Sequence, residues 1–272
     1  MKKHISIDKY FLSFRGIKID ILPLGFSMIL IFIWEVIVRL AWIEAFILPA
    51  PSMVLNALVT TMDIMAEHIL ATLFTSFIGF SVAILMALFI GIVMDKFFVV
   101  RRALYPLIIT SQTVPIITLA PLFAMWFGFG YLPKIAIVVL VCFFPITISL
   151  LEGLASVDRD LLNLLISMGA KPLDIYKIVK LPATLPNFFA GLKISGTYSI
   201  MGAVVGEWVG GKKGLGVYMM RVRRSFATDR VFATIMVIVA LSIGILKIIT
   251  LVENMLMPWN NANKKCVEED EG

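Results

Sequence analysis

The stretch Gly206–Lys213 reads GEWVGGKK, one position short of the phosphate-cradling pattern G-x-x-x-x-G-K-[ST]. That pattern needs a hydroxyl in its last position to hold magnesium, and a strand before it. Here Lys213 fills the last position and an apolar helix precedes the stretch, so no nucleotide site is expected. His4 and His68 are the two histidines, far apart in the chain. A zinc site needs three or four clustered ligands, and a hydrolytic triad needs a histidine beside its nucleophile. Cys142 falls in an apolar run and Cys266 in a polar tail, which suggests no disulfide framework. The chain is therefore not expected to be an enzyme, to bind a cofactor or metal, or to hydrolyse ATP itself.

What remains chemically is polarity set inside apolar sequence. YPLIITSQTVPIITLAP carries Pro106, Pro115 and Pro121 around Thr110, Ser111, Gln112 and Thr113. Proline in a helix frees backbone carbonyls, and polar side chains within a bilayer face a bundle interior or a watery cavity. The hydroxyls can bond back to their own helix, or Thr110–Thr113 and Pro115 can line a translocation path. Glu207 is a further path candidate, although near a membrane edge it should be solvated or paired with a basic neighbour. Glu35 and Arg39, spaced i, i+4, should neutralise each other. Gly191, Ser195, Ser199 and Ala203 recur every four residues, with Gly202, Gly206 and Gly210 as a second row. Such rows let another helix approach closely.

The elements that position these residues are membrane spans. The chain of 272 residues is 60% hydrophobic and 15% charged, against about 25% charged in a typical soluble domain. A span needs roughly 20 apolar residues, and six candidates lie near 21–43, 69–94, 103–127, 135–151, 186–206 and 231–252. The fold class is all-α, a polytopic membrane protein. Its membrane domain covers 21–256, between a basic amphipathic N-terminus, 1–20, and a polar tail, 257–272. The first apolar run exceeds a signal-peptide core, so it is read as a span. With the N-terminus inside, fourteen Lys and Arg fall on the inner side against seven on the outer, so both termini are expected to be cytoplasmic. The basic stretch 212–230 dissents, as a re-entrant or amphipathic element would. Pro51, in LPAPS, is placed to open a helix before the second span.

Between the fourth and fifth spans, in the loop 152–185, stands SMGAKPLDIYKIVKLPATLP. Gly169 can end the helix leaving the fourth span. Pro172 suits the first turn of a new helix, with Asp174 at its positive end. Lys177 and Lys180 fall toward its C-terminus, and Pro182 should limit its length. At about 100° per residue, Ile175, Tyr176, Ile178 and Val179 share one face, with Asp174, Lys177 and Lys180 opposite. So short a helix is unstable alone and must bury its apolar face in lipid headgroups or in a partner's groove.

This stretch resembles the cytoplasmic EAA loop of ABC importer permeases, E-A-A, three residues, G, nine residues, I-x-L-P. Gly169 is the glycine, Val179 stands at the isoleucine and Leu181-Pro182 is the terminal pair; Asn163, Leu164 and Leu165 replace the triplet. LPAPSMVL, TVPIITLAPLFAMWFGFG and VVGEWVGGKKGLGVYM look like the nitrate/sulfonate/taurine branch. CFFPITISLLEGLASVD and MGAVVGEW look most like permeases for the hydroxymethyl- or aminopyrimidine precursor of thiamine. The resemblance implies a type I importer permease that pairs with a second permease copy in the bilayer. Its partners would be a cytoplasmic ABC ATPase dimer, which holds the ATP and magnesium, and an extracytoplasmic substrate-binding protein; no nucleic acid is involved. Gly169, Ala170, Pro172, Asp174, Ile175, Tyr176, Ile178, Val179, Leu181 and Pro182 would form the ATPase-coupling helix. Sulfonate, taurine, nitrate or riboflavin are alternative cargoes. An ion-coupled secondary transporter is more remote, since no internal repeat is visible.

Overall fold

The computed structural model describes residues 11–14 and 17–258. The terminal tails, with His4 and Cys266, lie largely outside these residues. A short antiparallel hairpin, β1 (Phe11–Phe14) and β2 (Ile17–Asp20), pairs Phe11 with Asp20 and Phe14 with Ile17. It departs from the expected all-α chain, and the other elements described are helical. The chain forms two compact units, Met1–Met62 with Val222–Ala233, and Asp63–Arg221 with Thr234–Gly272.

Helix α1 covers Ile21–Arg39, shorter than the expected 21–43. Its Glu35 meets Arg39 at 2.6 Å, as the spacing implies. The same carboxylate accepts from the Ser52 amide at 3.0 Å and from its hydroxyl at 2.7 Å. It thus satisfies orphan donors in the first turn of the next helix. That helix, α2 (Pro51–Lys96), opens on Pro51 as anticipated and runs for 46 residues, about 69 Å at 1.5 Å per residue. The expected interfacial helix and second span are one rod, because no proline or paired glycine interrupts it.

Only Phe97, in extended conformation, separates α2 from α3 (Phe98–Ser111). After α3 the backbone turns through 103° into α4 (Ile116–Phe127). The expected straight span 103–127 is therefore broken. The break falls at Gln112–Pro115, since the residue before a proline is pushed out of helical conformation; Pro106 and Pro121 remain inside their helices. Next come α5 (Tyr131–Ala155), α6 (Arg159–Ser167), α7 (Pro172–Ile175), a π-helical turn (Tyr176–Lys180) and α8 (Leu181–Trp208). Helices α9 (Leu215–Arg224) and α10 (Thr228–Leu256) follow. Among the described residues, four helical stretches are long and apolar enough to cross a bilayer, or five if the bent pair counts as one span.

Helices α5 and α8 form the centre of the larger unit. Its core joins Ala83 and Ala87 of α2, Val138, Cys142 and Ile146 of α5, Phe189, Leu192 and Ala203 of α8, and Ile249 of α10. Small residues on α8 permit this approach. A β-carbon added at Gly191 would stand 2.7 Å from Ser149 Cβ and 2.9 Å from the Pro145 carbonyl oxygen. Ser195 donates to the Cys142 carbonyl at 3.0 Å, and the Cys142 thiol donates back to the Ser195 carbonyl at 3.2 Å. The i+4 row does not stay on one face, because four residues turn an α-helix by about 40° beyond a full circle. Gly191 and Ser195 meet α5, whereas Ser199 meets Ser76 of α2 at 2.7 Å. Gly202 and Gly206, from the second row, return to α5 against Val138 and Lys134.

Candidate functional site: the segment 158–182 and the polar breaks

The segment between α5 and α8 is built from caps. Asp158 accepts from the Asp160 amide at 2.8 Å and starts α6. Ala170 N–H reaches the Leu165 carbonyl and Gly169 N–H the Ile166 carbonyl, with Gly169 at φ +81°. This is a Schellman closure, in which glycine suits the left-handed position. Gly169 therefore ends α6. It does not end the fourth span, whose helix already stops at Ala155. Lys171 is extended, as a residue before proline should be, and Pro172 occupies the first turn of α7 with Asp174 beside it.

Pro182 does not limit this helix. The turn Tyr176–Lys180 widens, Leu181 N–H bonds the Tyr176 carbonyl, and the chain continues into α8 with Pro182 in its first turn. Proline lacks a donor and crowds the carbonyl four residues back; a widened π turn is one way a helix accommodates such an interruption.

The two faces differ from the helical-wheel expectation. Ile175, Tyr176 and Val179 are partly covered, but Ile178 is 70% exposed. Lys180, expected on the solvent side, turns inward: its ammonium lies 2.8 Å from Asp95 Oδ2 near the end of α2, and the Tyr176 hydroxyl donates to the same oxygen. Asp95 carried no motif in the sequence; a charged residue closing an uncharged 26-residue run was the available signal. Leu161, Leu164, Ile166, Met168, Leu173, Ile178 and Leu181 all remain exposed.

The other candidates lie elsewhere in the same unit. At the break after α3, Thr110 Oγ1 donates to the Pro106 carbonyl, Ser111 Oγ to Ile108 and Thr113 Oγ1 to Thr110, each within 2.9 Å. The hydroxyls thus bond back to their own helix. Gln112, Thr113 and Pro115 are exposed.

Glu207 is neither solvated nor at an open edge. It is 1% exposed and accepts from Thr72 Oγ1 at 2.9 Å and from the Gly216 amide at 2.8 Å. Leu215 N–H donates to Thr72 Oγ1 at 2.8 Å, and Gly214 N–H to His68 Nδ1 at 3.0 Å. Three successive amides at the start of α9 are thereby satisfied, with a carboxylate at the positive helix end. The glycines of GEWVGGKKGLG now have a physical reason. Gly214 sits at φ +130°, and a β-carbon there would come within 2.0 Å of the Glu207 carboxyl carbon. Lys134 is buried and donates to the Lys213 carbonyl at 3.3 Å. Lys213 pairs with Glu67, a hydrogen bond that holds its ammonium above the ordinary lysine range. Among the spans' own charges, Lys193 pairs with Glu253.

Comparison with known proteins agrees with this helical arrangement. The chain is 36% identical over 238 residues to the formylaminopyrimidine transport permease protein ThiX of Halalkalibacterium halodurans, covering 87% of this chain and 95% of that one. It is 30% identical over 246 residues to the taurine transport system permease protein TauC of Escherichia coli, covering 88% and 90%. A crystal structure of an amino acid ABC transporter with histidines shares the fold, with a TM-score of 0.58 and 18% identity over 72% of this chain and 96% of that chain. A family model for the binding-protein-dependent transport system inner membrane component matches residues 79–256, which include α5, the capped segment and α8. The chain thus belongs to that inner-membrane family, as a multi-pass ABC importer permease of the sulfonate/taurine branch.

Proposed function

We propose that this permease carries a small polar solute into the cytoplasm, the best candidate being a hydroxymethyl- or aminopyrimidine precursor of thiamine. The chain crosses the bilayer six times with both termini cytoplasmic and works beside a second copy. An extracytoplasmic binding protein delivers the solute, and a pair of cytoplasmic ATPases, which hold the ATP and magnesium, drives the cycle. The segment from Asp158 to Pro182 seats in a groove on the ATPase. Nucleotide-driven closure moves that segment and, through it, the spans, so that two global states are biased from a distant site.

The observation that carries the coupling role is the uncovered apolar surface of this segment. Leu173 and Ile178 are each 70% exposed, on a piece of chain held rigid by a Schellman closure and by the Asp95 contacts. Exposed apolar side chains on a fixed, otherwise polar element mark an interaction surface. The substrate class is supported by the similarity to a formylaminopyrimidine permease over nearly the whole chain. The similarity to a taurine permease, over a comparable share at lower identity, leaves sulfonated cargoes as the alternative.

The test is co-purification of the chain with its ATPase, followed by ATP hydrolysis in proteoliposomes with and without the binding protein. Ile178→Asp and Gly169→Pro are expected to abolish stimulation by the binding protein while the permease still inserts. Proline cannot adopt the φ of +81° found at Gly169. Full stimulation in both variants would refute the coupling role.

A further inference from the structure

Two adjoining cavities lie where α5 begins, both within the larger unit. The smaller, of about 350 Å³, is walled by Phe129, Tyr131, Lys134, Gly211, Lys212 and Lys213. The larger, a groove of about 890 Å³, runs along Leu70, Phe74, Phe77 and Phe80 of α2 beside Ile245 and Ile248 of α10. Tyr131 and Lys213 line both, and the Tyr131 ring stands edge-on to Phe74 with centroids 5.6 Å apart. The groove presents apolar walls outward, since Leu70, Phe74, Phe77 and Ile248 are exposed. Its two hydroxyls are satisfied within the protein: Ser76 donates to Ser199 at 2.7 Å, and Ser199 to the Gly196 carbonyl at 2.7 Å.

The smaller cavity is basic. Lys134 is 5% exposed and makes one hydrogen bond, to the Lys213 carbonyl at 3.3 Å, although an ammonium has three donors. Among the described residues neither Lys134 nor Lys212 belongs to an ion pair, while Lys213 pairs with Glu67 at the polar end of the groove. Glu207, whose charge also reaches Lys134, is engaged by Thr72 and the Gly216 amide. Gly211 keeps the ammonium uncovered, since a β-carbon there would stand 2.9 Å from Lys134 Nζ. A covered cation without a paired carboxylate is costly unless an anion joins it.

The stretch of α2 from Glu67 to Phe80 rises about 20 Å at 1.5 Å per residue, against about 15 Å for half of a hydrocarbon core about 30 Å thick. The groove thus has the depth of one leaflet. Tyr131, half exposed at its polar end, stands where such rings collect at a membrane surface. The occupant must be an anion at one end and hydrocarbon along its length. An acidic peptide lacks the second feature, and an apolar helix from another chain lacks the first. Basic pockets between spanning helices suit lipid head groups. We infer that the joined cavities seat an anionic phospholipid, its phosphate against Lys134, Lys212 and Lys213 and an acyl chain along the groove between α2 and α10. Lys212 and Lys213, which dissent from the charge bias between the two sides of the membrane, then have a counter-charge at its surface.

The test is native mass spectrometry of the detergent-purified permease titrated with dioleoyl phosphatidylglycerol, with dioleoyl phosphatidylcholine and glycerol phosphate as comparisons. Wild type is expected to hold phosphatidylglycerol about tenfold or more tightly than phosphatidylcholine, since the chains are the same and the lysines favour net negative charge. Glycerol phosphate is expected not to displace the lipid at about 100-fold excess, because an acyl chain draws its affinity from buried CH₂ groups. Lys212→Gln and Lys134→Gln should each weaken phosphatidylglycerol binding about fivefold, the share of one lysine near a lipid surface. Lys212 is exposed, so its variant tests the head contact even where Lys134→Gln fails to fold. Phosphatidylglycerol with a diazirine in its acyl chain should label residues 70–80 and 245–249. Equal affinity for the two lipids, unchanged binding in Lys212→Gln, or labelling elsewhere would overturn the inference. Displacement by glycerol phosphate at equal concentration would overturn it in favour of a free phosphate. Disulfide formation between Phe77→Cys residues of two permeases, with no lipid retained, would give the groove to a second copy instead.

Discussion

Replacing Lys180 with methionine is expected to destabilise the permease more than replacing Asp95 with asparagine, although both remove the same ion pair. The ammonium and carboxylate stand 2.8 Å apart, with 17% and 8% of the two side chains exposed. Exposed pairs contribute about 0–1 kcal/mol, whereas removing one partner of a fully buried pair costs about 3–5 kcal/mol. A mostly covered pair falls between, so Lys180→Met should cost about 2 kcal/mol. Methionine retains much of the stem, so the penalty reports the covered Asp95 carboxylate left with the Tyr176 hydroxyl alone. Asp95→Asn leaves a neutral amide that can still accept from Tyr176. The released lysine head can extend along its stem toward water, which limits the cost to about 1 kcal/mol. Unfolding of the detergent-purified protein by dodecyl sulfate, measured for wild type, both single variants and the double, gives the coupling energy directly. A coupling of about 1 kcal/mol is expected for residues in contact. Additive single effects, or a larger cost for Asp95→Asn, would refute the description of Asp95 as a covered anchor for the segment.

Other substitutions probe the remaining contacts. Gly214→Val should prevent stable folding, since φ is +130° and the new β-carbon would fall within 2.0 Å of the Glu207 carboxyl carbon; a normal yield of monodisperse protein would contradict that crowding. Gly191→Leu should wedge α5 from α8, where overpacking costs about 1–3 kcal/mol, and is read by the same dodecyl sulfate titration; an unchanged midpoint would mean the helices are not in close contact there. Glu207→Leu should loosen the start of α9 and raise its amide hydrogen exchange, whereas Glu207→Gln, which still accepts hydrogen bonds, should be milder. Equal protection in all three proteins would exclude capping by Glu207. Cysteines placed at Gln112 and Thr113 should react with water-soluble thiol reagents in at least one nucleotide state; protection in every state would remove them from a watery path.

How much of this was legible in the sequence depends on the range of the interaction. Local backbone rules were readable: Pro51 opening a helix, Gly169 in a left-handed closure, Pro172 in a first turn, and Glu35 meeting Arg39 all follow from neighbours within a few residues. Long helical extent was not. Pro182 is carried through by a π turn, and α2 merges two expected elements into one. The wheel for 172–181 assumed uniform α geometry, so the widened turn and the distant Asp95 reversed the placement of Lys180 and Ile178. For Glu207 the sequence suggests water or a basic neighbour, whereas its hydrogen-bond partners, Thr72 and Gly216, are supplied by another helix and by a chain reversal that charge patterning does not encode. The four-residue ridge on α8 was visible, but its drift around the helix, which gives Gly191 to α5 and Ser199 to α2, emerged only with the neighbouring helices in place.

The importer assignment and its partner-driven cycle are tested most directly by solute uptake into proteoliposomes holding the permease, its ATPase and its binding protein. Hydroxymethyl-aminopyrimidine uptake is expected only with hydrolysable ATP and binding protein together, and it should survive collapse of ion gradients. Uptake that persists without ATP and disappears when the ion gradient is dissipated would contradict it.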